Sequence, residues 1–482
     1  MKSTDEPVVT TAEGTVRGRA DGTAHVFHGI PYAAPPTGAA RFAAPAPHAP
    51  WQGVRDALRP GPTAPQPRRD GFGALDMTPY FGPGWVPGDD HLTVDVWAPP
   101  GVRRAPVLVF VHGGGFVTGS ARAPLYDGTA FARDGVVLVT LNYRLGVAGF
   151  LDLPGAPPNR GLLDVVAALR WVRRNIGAFG GDPGNVTLCG QSAGATLTAG
   201  VLAHPGAEGL FHRAVVQSGN GLGAFSPDQA ARVTRAAAEA LGVAPTAAEF
   251  ARVPDAGFVE VLPRLAGLDL RTADRFDPLV GLSPFSLVLE RQPAEAVAAG
   301  EGADVPLVVG TNAEEGNLYL VPQGELTAST SRDAREAAAR AHADPDAALA
   351  RYRARRPHAS PGELRAAVLG DALFGTGSRR LAEAHAGRGG APTYTYEFGW
   401  RSPAVDGLLG AAHTVELPFV FDRLDLPTLR GPRGLLGDAP APEPPAALTA
   451  LASETHAAWV RFARTGDPGW APTEPRRFTG EA

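Results

Sequence analysis

Gly190-Gln191-Ser192-Ala193-Gly194 is a G-x-S-x-G stretch, a pattern that can present a serine hydroxyl as a nucleophile. Val186 to Cys189 is a short apolar run and predicts a buried strand. Ala193 to Leu202 is small and apolar and predicts a helix. A serine between the two sits on a sharp turn, with its hydroxyl pushed out at the carboxyl edge of a sheet. The flanking glycines avoid collision with the neighbouring strand and helix. In a chain with 60 glycines the pattern alone is weak, and an ordinary turn is the competing explanation. The strand before it and the helix after it favour the nucleophile. Cys189 adjoins the serine, but as the last residue of an apolar strand it reads as a small buried hydrophobe.

A serine nucleophile needs a proton shuttle and donors for a tetrahedral oxyanion. The triple glycine Gly113-Gly114-Gly115 directly follows the apolar run Val107 to Val111, so its N–H groups lie uncovered at the same edge, with that of Ala193 beside them. Of 12 histidines, His48, His204, His342, His358 and His385 read as lying in loops or exposed helices. His112 opens the glycine loop and reads as orienting it. His413 is the best base, because it follows a strand and lies C-terminal to the serine. Glu314 and Glu315 both follow the strand ending at Gly310, and spacing does not separate them as the acid. The machinery fits ester hydrolysis through an acyl-enzyme.

The elements that must carry these loops alternate between strand and helix. They predict an α/β fold with a large, mostly parallel central sheet flanked by helices. Residues 1–482 read as one domain. It has an N-terminal β-ribbon at about 8–30 and helical insertions at about 227–300 and 330–390. Asn159 to Asn175 has the helical period, with Leu162, Val165, Val166, Leu169 and Val172 on one face. Pro60 to Gly88 reads as a long loop, the sort of segment that forms a lid or a site wall. Phe81 and Trp85 within it are candidates for lining an apolar pocket, and Phe116 and Gln191 adjoin the same place.

Composition excludes several classes. With 44 basic and 49 acidic residues spread along 482, no basic stripe exists to neutralise phosphates, which argues against nucleic acid. No run of about 18 apolar residues predicts a membrane span. A single cysteine excludes an intrachain disulfide and a cysteine-rich zinc site, and no metal or cofactor is called for. Met1 to Pro7 lacks an apolar leader, so a cytoplasmic enzyme, monomeric or weakly homo-oligomeric, is the expectation.

A series of stretches, in order along nearly the whole chain, resembles the type-B carboxylesterases, the family of the para-nitrobenzyl esterases and cholinesterases. They are Phe27 to Ala33, Arg41-Phe42, Leu92 to Pro99, His112 to Phe116, Asn142 to Phe150, Phe179 to Pro183, Gly190 to Gly194, Gln217 to Gly219, Asn312 to Gly316 and His413 to Phe421. The resemblance implies an α/β-hydrolase fold and a serine carboxylic-ester hydrolase acting on small neutral esters. Amidase or carbamate hydrolysis by the same machinery, or a non-catalytic binding role, are the alternatives. It implies Ser192 as nucleophile, Glu315 as the acid, His413 as the base, and Gly114, Gly115 and Ala193 as oxyanion donors. It further implies ion pairs of Arg41 with Asp89 and of Arg144 with Asp164, and a supporting hydroxyl, Ser218, behind the histidine. Secreted members carry cysteine where His91 stands, and cholinesterases carry glutamate where Gln191 stands. A choline-ester specialist is therefore not implied.

Overall fold

A computed structural model describes residues 6–437 and 444–480 of the chain. Met1 to Asp5, most of the segment read as lacking a leader, lie outside the described residues. Ten strands form the main sheet: β1 (Arg19–Asp21), β2 (Ala24–Pro31), β3 (Thr93–Ala98), β4 (Ala105–Val111), β5 (Val137–Leu141), β6 (Gly181–Gln191), β7 (Arg213–Gln217), β8 (Leu307–Asn312), β9 (Thr393–Phe398) and β10 (Arg476–Phe478). Their spatial order is β10-β9-β8-β7-β6-β4-β5-β3-β2-β1. From β10 to β5 every pairing is parallel, and the three pairings β5-β3, β3-β2 and β2-β1 are antiparallel.

Two faces of apolar side chains explain the strands. Val107, Val109 and Val111 of β4 join Leu188, Val216 and Val309 in a core beneath α1 (Arg160–Asn175) and α2 (Ala193–Leu202). Leu108 and Phe110 point the other way. They pack with Cys189, Val215 and Val308 against Trp459 and Phe462 of α3 (Ala446–Thr465). Alternation with period two thus fills both sides, as a parallel sheet covered by helices requires. All five residues predicted for the apolar face of α1 are buried. β8 starts at Leu307, just after Pro306, which has no N–H to give to the ladder.

The stretch expected as one ribbon at 8–30 is divided. Thr15–Arg17 pairs with Val8–Thr10 on one side and Val54–Asp56 on the other in a separate small sheet, whereas Ala24–Pro31 joins the main sheet beside β3. The second insertion folds as helices from Ser331–Ala341 through Thr376–Ala386, but the first is helical only in part: Pro227–Leu241, Asp255–Leu265 and Pro293–Ala299 are helices, and residues 266–292 are irregular. Among the described residues, no helix is long and apolar enough to cross a membrane.

Register sets the site. Gly190 pairs with Val111, Gln191 with Gln217, and Gln217 with Gly310, so β4, β6, β7 and β8 end at one level and shed their loops side by side. A buried ion pair fixes the base of this edge. Arg144 donates from Nη2 to Asp164 Oδ1 at 2.6 Å and from Nε to Oδ2 at 2.9 Å, while its Nη1 donates to the carbonyl of Ala43 at 2.7 Å. The other implied pair is corrected. Arg41 lies 3.4 Å from Asp255, not against Asp89, and donates to the carbonyl of Val253 at 2.6 Å. The N-terminal crossover is therefore tied to the Asp255–Leu265 helix.

Candidate active site

The turn between β6 and α2 leaves little choice of residue. A Cβ at Gly194 would lie 2.1 Å from the carbonyl oxygen of Val111, and one at Gly190 2.2 Å from that of Gly194. Ser192 itself adopts φ 59° and ψ −124°, a backbone region costly for any L side chain. Its N–H donates to the carbonyl of Gln217 at 2.9 Å, which pins the turn to β7.

The His413 loop follows β9 and brings the imidazole to this turn. Nε2 is 2.8 Å from Ser192 Oγ, and Nδ1 is 2.6 Å from Glu315 Oε2. With Nδ1–H donated to the carboxylate, Nε2 is free to accept from the hydroxyl. Glu315 Oε1 accepts from the backbone N–H of Asn312 at 2.7 Å and from Ser218 Oγ at 2.5 Å. Ser218 thus touches the glutamate, one step further from the serine than the histidine. Phe374 stacks flat on His413, with centroids 4.1 Å apart and planes 10° apart. It comes from a single π-helical turn, Asp371–Gly375, a feature with no sequence signal. Glu314 turns the other way, taking an ion pair from Arg401 and the N–H of Ala411.

The glycine loop faces the same hydroxyl. Gly114 has φ 120° and Gly115 φ 62°, and a Cβ at Gly113 would press on the Ser192 Cβ at 2.9 Å. Among the described residues, nothing accepts from the N–H of Gly114, Gly115 or Ala193, so all three donors are available to a developing anion. His112 holds the loop by its Nδ1, 2.8 Å from the carbonyl of Gly113, while its ring stacks on Tyr143. Burial lowers the His112 pKa to about 4, so the ring is neutral near pH 7. Gln66 braces the loop from the Pro60 to Gly88 segment, accepting from the N–H of Gly119 at 2.8 Å and from Thr118 Oγ1 at 2.9 Å. No periodic pattern marks Gln66.

Phe81, Phe116 and Gln191 line the pocket over Ser192, together with Tyr80, Leu318 and Phe374. Gln191 Nε2 sits 3.4 Å from His413 Nε2. Trp85 does not share this pocket and lies against a separate cleft near Arg41 and His91. His385, expected on an exposed helix, is fully buried, its Nδ1 2.7 Å from Thr393 Oγ1. Cys189 is sealed in the core with its Sγ 3.2 Å from Gln217 Oε1, and burial pushes its thiol pKa well up. Among the described residues, no group of three or more His, Cys, Asp or Glu is placed to hold a metal ion.

The model of the carboxylesterase family matches residues 5–478 of this chain. The chain belongs to the carboxylesterase family. This carboxylesterase is 36% identical over 471 residues to phenmedipham hydrolase of Pseudarthrobacter oxydans, covering 96% of this chain and 90% of that protein. It is 36% identical over 487 residues to para-nitrobenzyl esterase of Bacillus subtilis (strain 168), with the same coverage. A solved PNB esterase structure superposes with a TM-score of 0.82 at 32% identity, covering 99% of this chain and 96% of the other. The α/β-hydrolase fold of this carboxylesterase and its membership of the carboxylic-ester hydrolases follow.

Proposed function

We propose that this carboxylesterase cleaves small esters through an acyl-enzyme in which Ser192 attacks, His413 shuttles the proton and Glu315 holds the imidazole. His413 Nε2 takes the Ser192 proton as Oγ bonds to the ester carbonyl carbon. The N–H groups of Gly114, Gly115 and Ala193 receive the oxyanion. Each such donor contributes roughly 3–4 kcal/mol to the lowered barrier. His413 then gives its proton to the departing alcohol, and water repeats the sequence to release the acid. Glu315 stabilises the imidazolium without being protonated. Phe81, Phe116 and Gln191 shape the pocket, and Ser218 positions Glu315. One observation carries the reading: the unbroken line from Ser192 Oγ to His413 at 2.8 Å and on to Glu315 at 2.6 Å.

A fluorophosphonate probe and p-nitrophenyl acetate test it. Wild-type protein is expected to be labelled and to turn over the ester, whereas Ser192→Ala loses labelling and roughly 10⁴-fold or more in kcat. Equal turnover by the variant overturns the assignment. Neutral p-nitrobenzyl and p-nitrophenyl esters are the first substrates to try. We further propose that the chain works as one domain, in the cytoplasm, as a monomer or weak homo-oligomer. Its single cysteine supports the reducing compartment.

A further inference from the structure

One cation in the wall of the site has no counter-ion among the described residues. Arg69 lines the pocket that holds Ser192, half-buried, with its guanidinium over two rings: Cζ is 5.4 Å from the Phe72 centroid and 5.9 Å from that of Phe81. Its neighbour Arg68 is paired with Asp70. Among the described residues, no carboxylate lies within ion-pair distance of Arg69, and no side chain or carbonyl accepts from it. The nearby acids are engaged elsewhere, Asp76 in capping Thr78 and Glu315 behind His413. Burial pulls the Arg69 pKa below its ordinary value, as a desolvated cation without an anion requires.

A second donor stands beside it. Tyr319 lines the same pocket, its ring 6.2 Å from Phe72 and 6.2 Å from His413. Burial pushes its phenol pKa up, so it stays a neutral O–H donor, and no acceptor for it exists among the described residues. A planar guanidinium and a phenol facing one cavity fit the two oxygens of a carboxylate. The rings of Phe72 and Phe81 lie against the guanidinium and hold it in place.

We propose that Arg69, with Tyr319, recognises a carboxylate carried by the substrate at a distance from the scissile bond, so that the enzyme accepts acidic esters as well as neutral ones. This rests on Ser192 as the nucleophile of the same pocket. An anionic ester entering there supplies a counter-ion that none of the described residues provides, and the ester bond is then hydrolysed as before.

Two matched pairs test it: 4-nitrophenyl hydrogen adipate against 4-nitrophenyl hexanoate, and 4-acetoxybenzoate against 4-acetoxybenzamide. The readout is the charged-to-neutral ratio of kcat/KM within each pair. In at least one pair, Arg69→Met is expected to lower that ratio about 10- to 100-fold, mainly through KM, since a charge-assisted hydrogen bond is worth that factor. Arg69→Lys keeps the charge and is expected to recover most of the ratio. Tyr319→Phe should lower it by less. A ratio unchanged by Arg69→Met in both pairs overturns the proposal and reduces Arg69 to packing. Wild-type turnover of the neutral members tests the parent reading separately. If Ser192→Ala matches wild type on those, the nucleophile assignment falls, whatever Arg69 does.

Discussion

Three groups converge on the Glu315 carboxylate, and the residue that feels their consequence is Glu416. It is completely buried, accepts from Asn312 Nδ2 at 2.7 Å, and shares that asparagine with Glu315. Burial first, and then the neighbouring Glu315 charge, push the Glu416 pKa from 4.5 to about 7. The sign of the linkage follows. Below pH 4.5 both folded and unfolded chains keep this proton. Between 4.5 and about 7 only the folded chain keeps it, so stability falls as pH rises, and above 7 the penalty is constant. Glu416→Gln should therefore flatten the melting-temperature profile across that window and melt above wild type at pH 8. A profile with the wild-type slope would assign the pH dependence to another group.

At the scale of elements, the site depends on loops that begin where parallel strands stop. The glycine loop after β4 is the most constrained of them. A Cβ on Gly114 would meet the Thr118 carbonyl oxygen at 2.0 Å, and the residue's φ of 120° already excludes an unstrained alanine. Gly114→Ala should displace the proposed oxyanion donors and lower kcat about 10²–10³-fold. Fluorophosphonate labelling should slow in parallel, while circular dichroism stays native. Normal kcat in a folded variant would mean that the donors lie elsewhere. The local chain announces most of this. A strand before Ser192, a helix after it and a triple glycine after an apolar run are short-range patterns, and the structure brings them together. Glu314 and Glu315 are not separable by local pattern, because which carboxylate turns inward depends on Ser218 and Asn312 from other elements. Gln66 and Phe374 are invisible for the same reason: one braces from an aperiodic loop, the other from a π-helical turn. Arg41 goes to Asp255 rather than Asp89 because the Asp255–Leu265 helix packs close to the crossover, a long-range contact that sequence order does not reveal.

The whole molecule is a sheet with two apolar faces, and a charge buried beneath it costs least where an opposite charge and hydrogen bonds meet it. Arg144 and Asp164 are the clearest case, at 1% and 0% exposure. Beyond the carboxylate, the arginine donates to the carbonyls of Arg41 and Ala43, so the pair joins α1 to the N-terminal crossover. Removing one partner leaves a buried charge uncompensated. Asp164→Ala should lose about 3–5 kcal/mol in denaturant unfolding. Combining it with Arg144→Met should recover part of that loss, because the orphaned charge goes as well. A double variant as unstable as the sum of its singles would show that the carbonyl contacts, rather than the charge, matter. A further consequence lies in the lone thiol. Cys189 is 0% exposed, between Gln217 and the face under Trp459, with its thiolate disfavoured by burial. Folded protein should stay silent to maleimides and iodoacetamide. Any cysteine engineered onto the surface then becomes the sole address for a dye, a spin label or a bead, without prior removal of the native one.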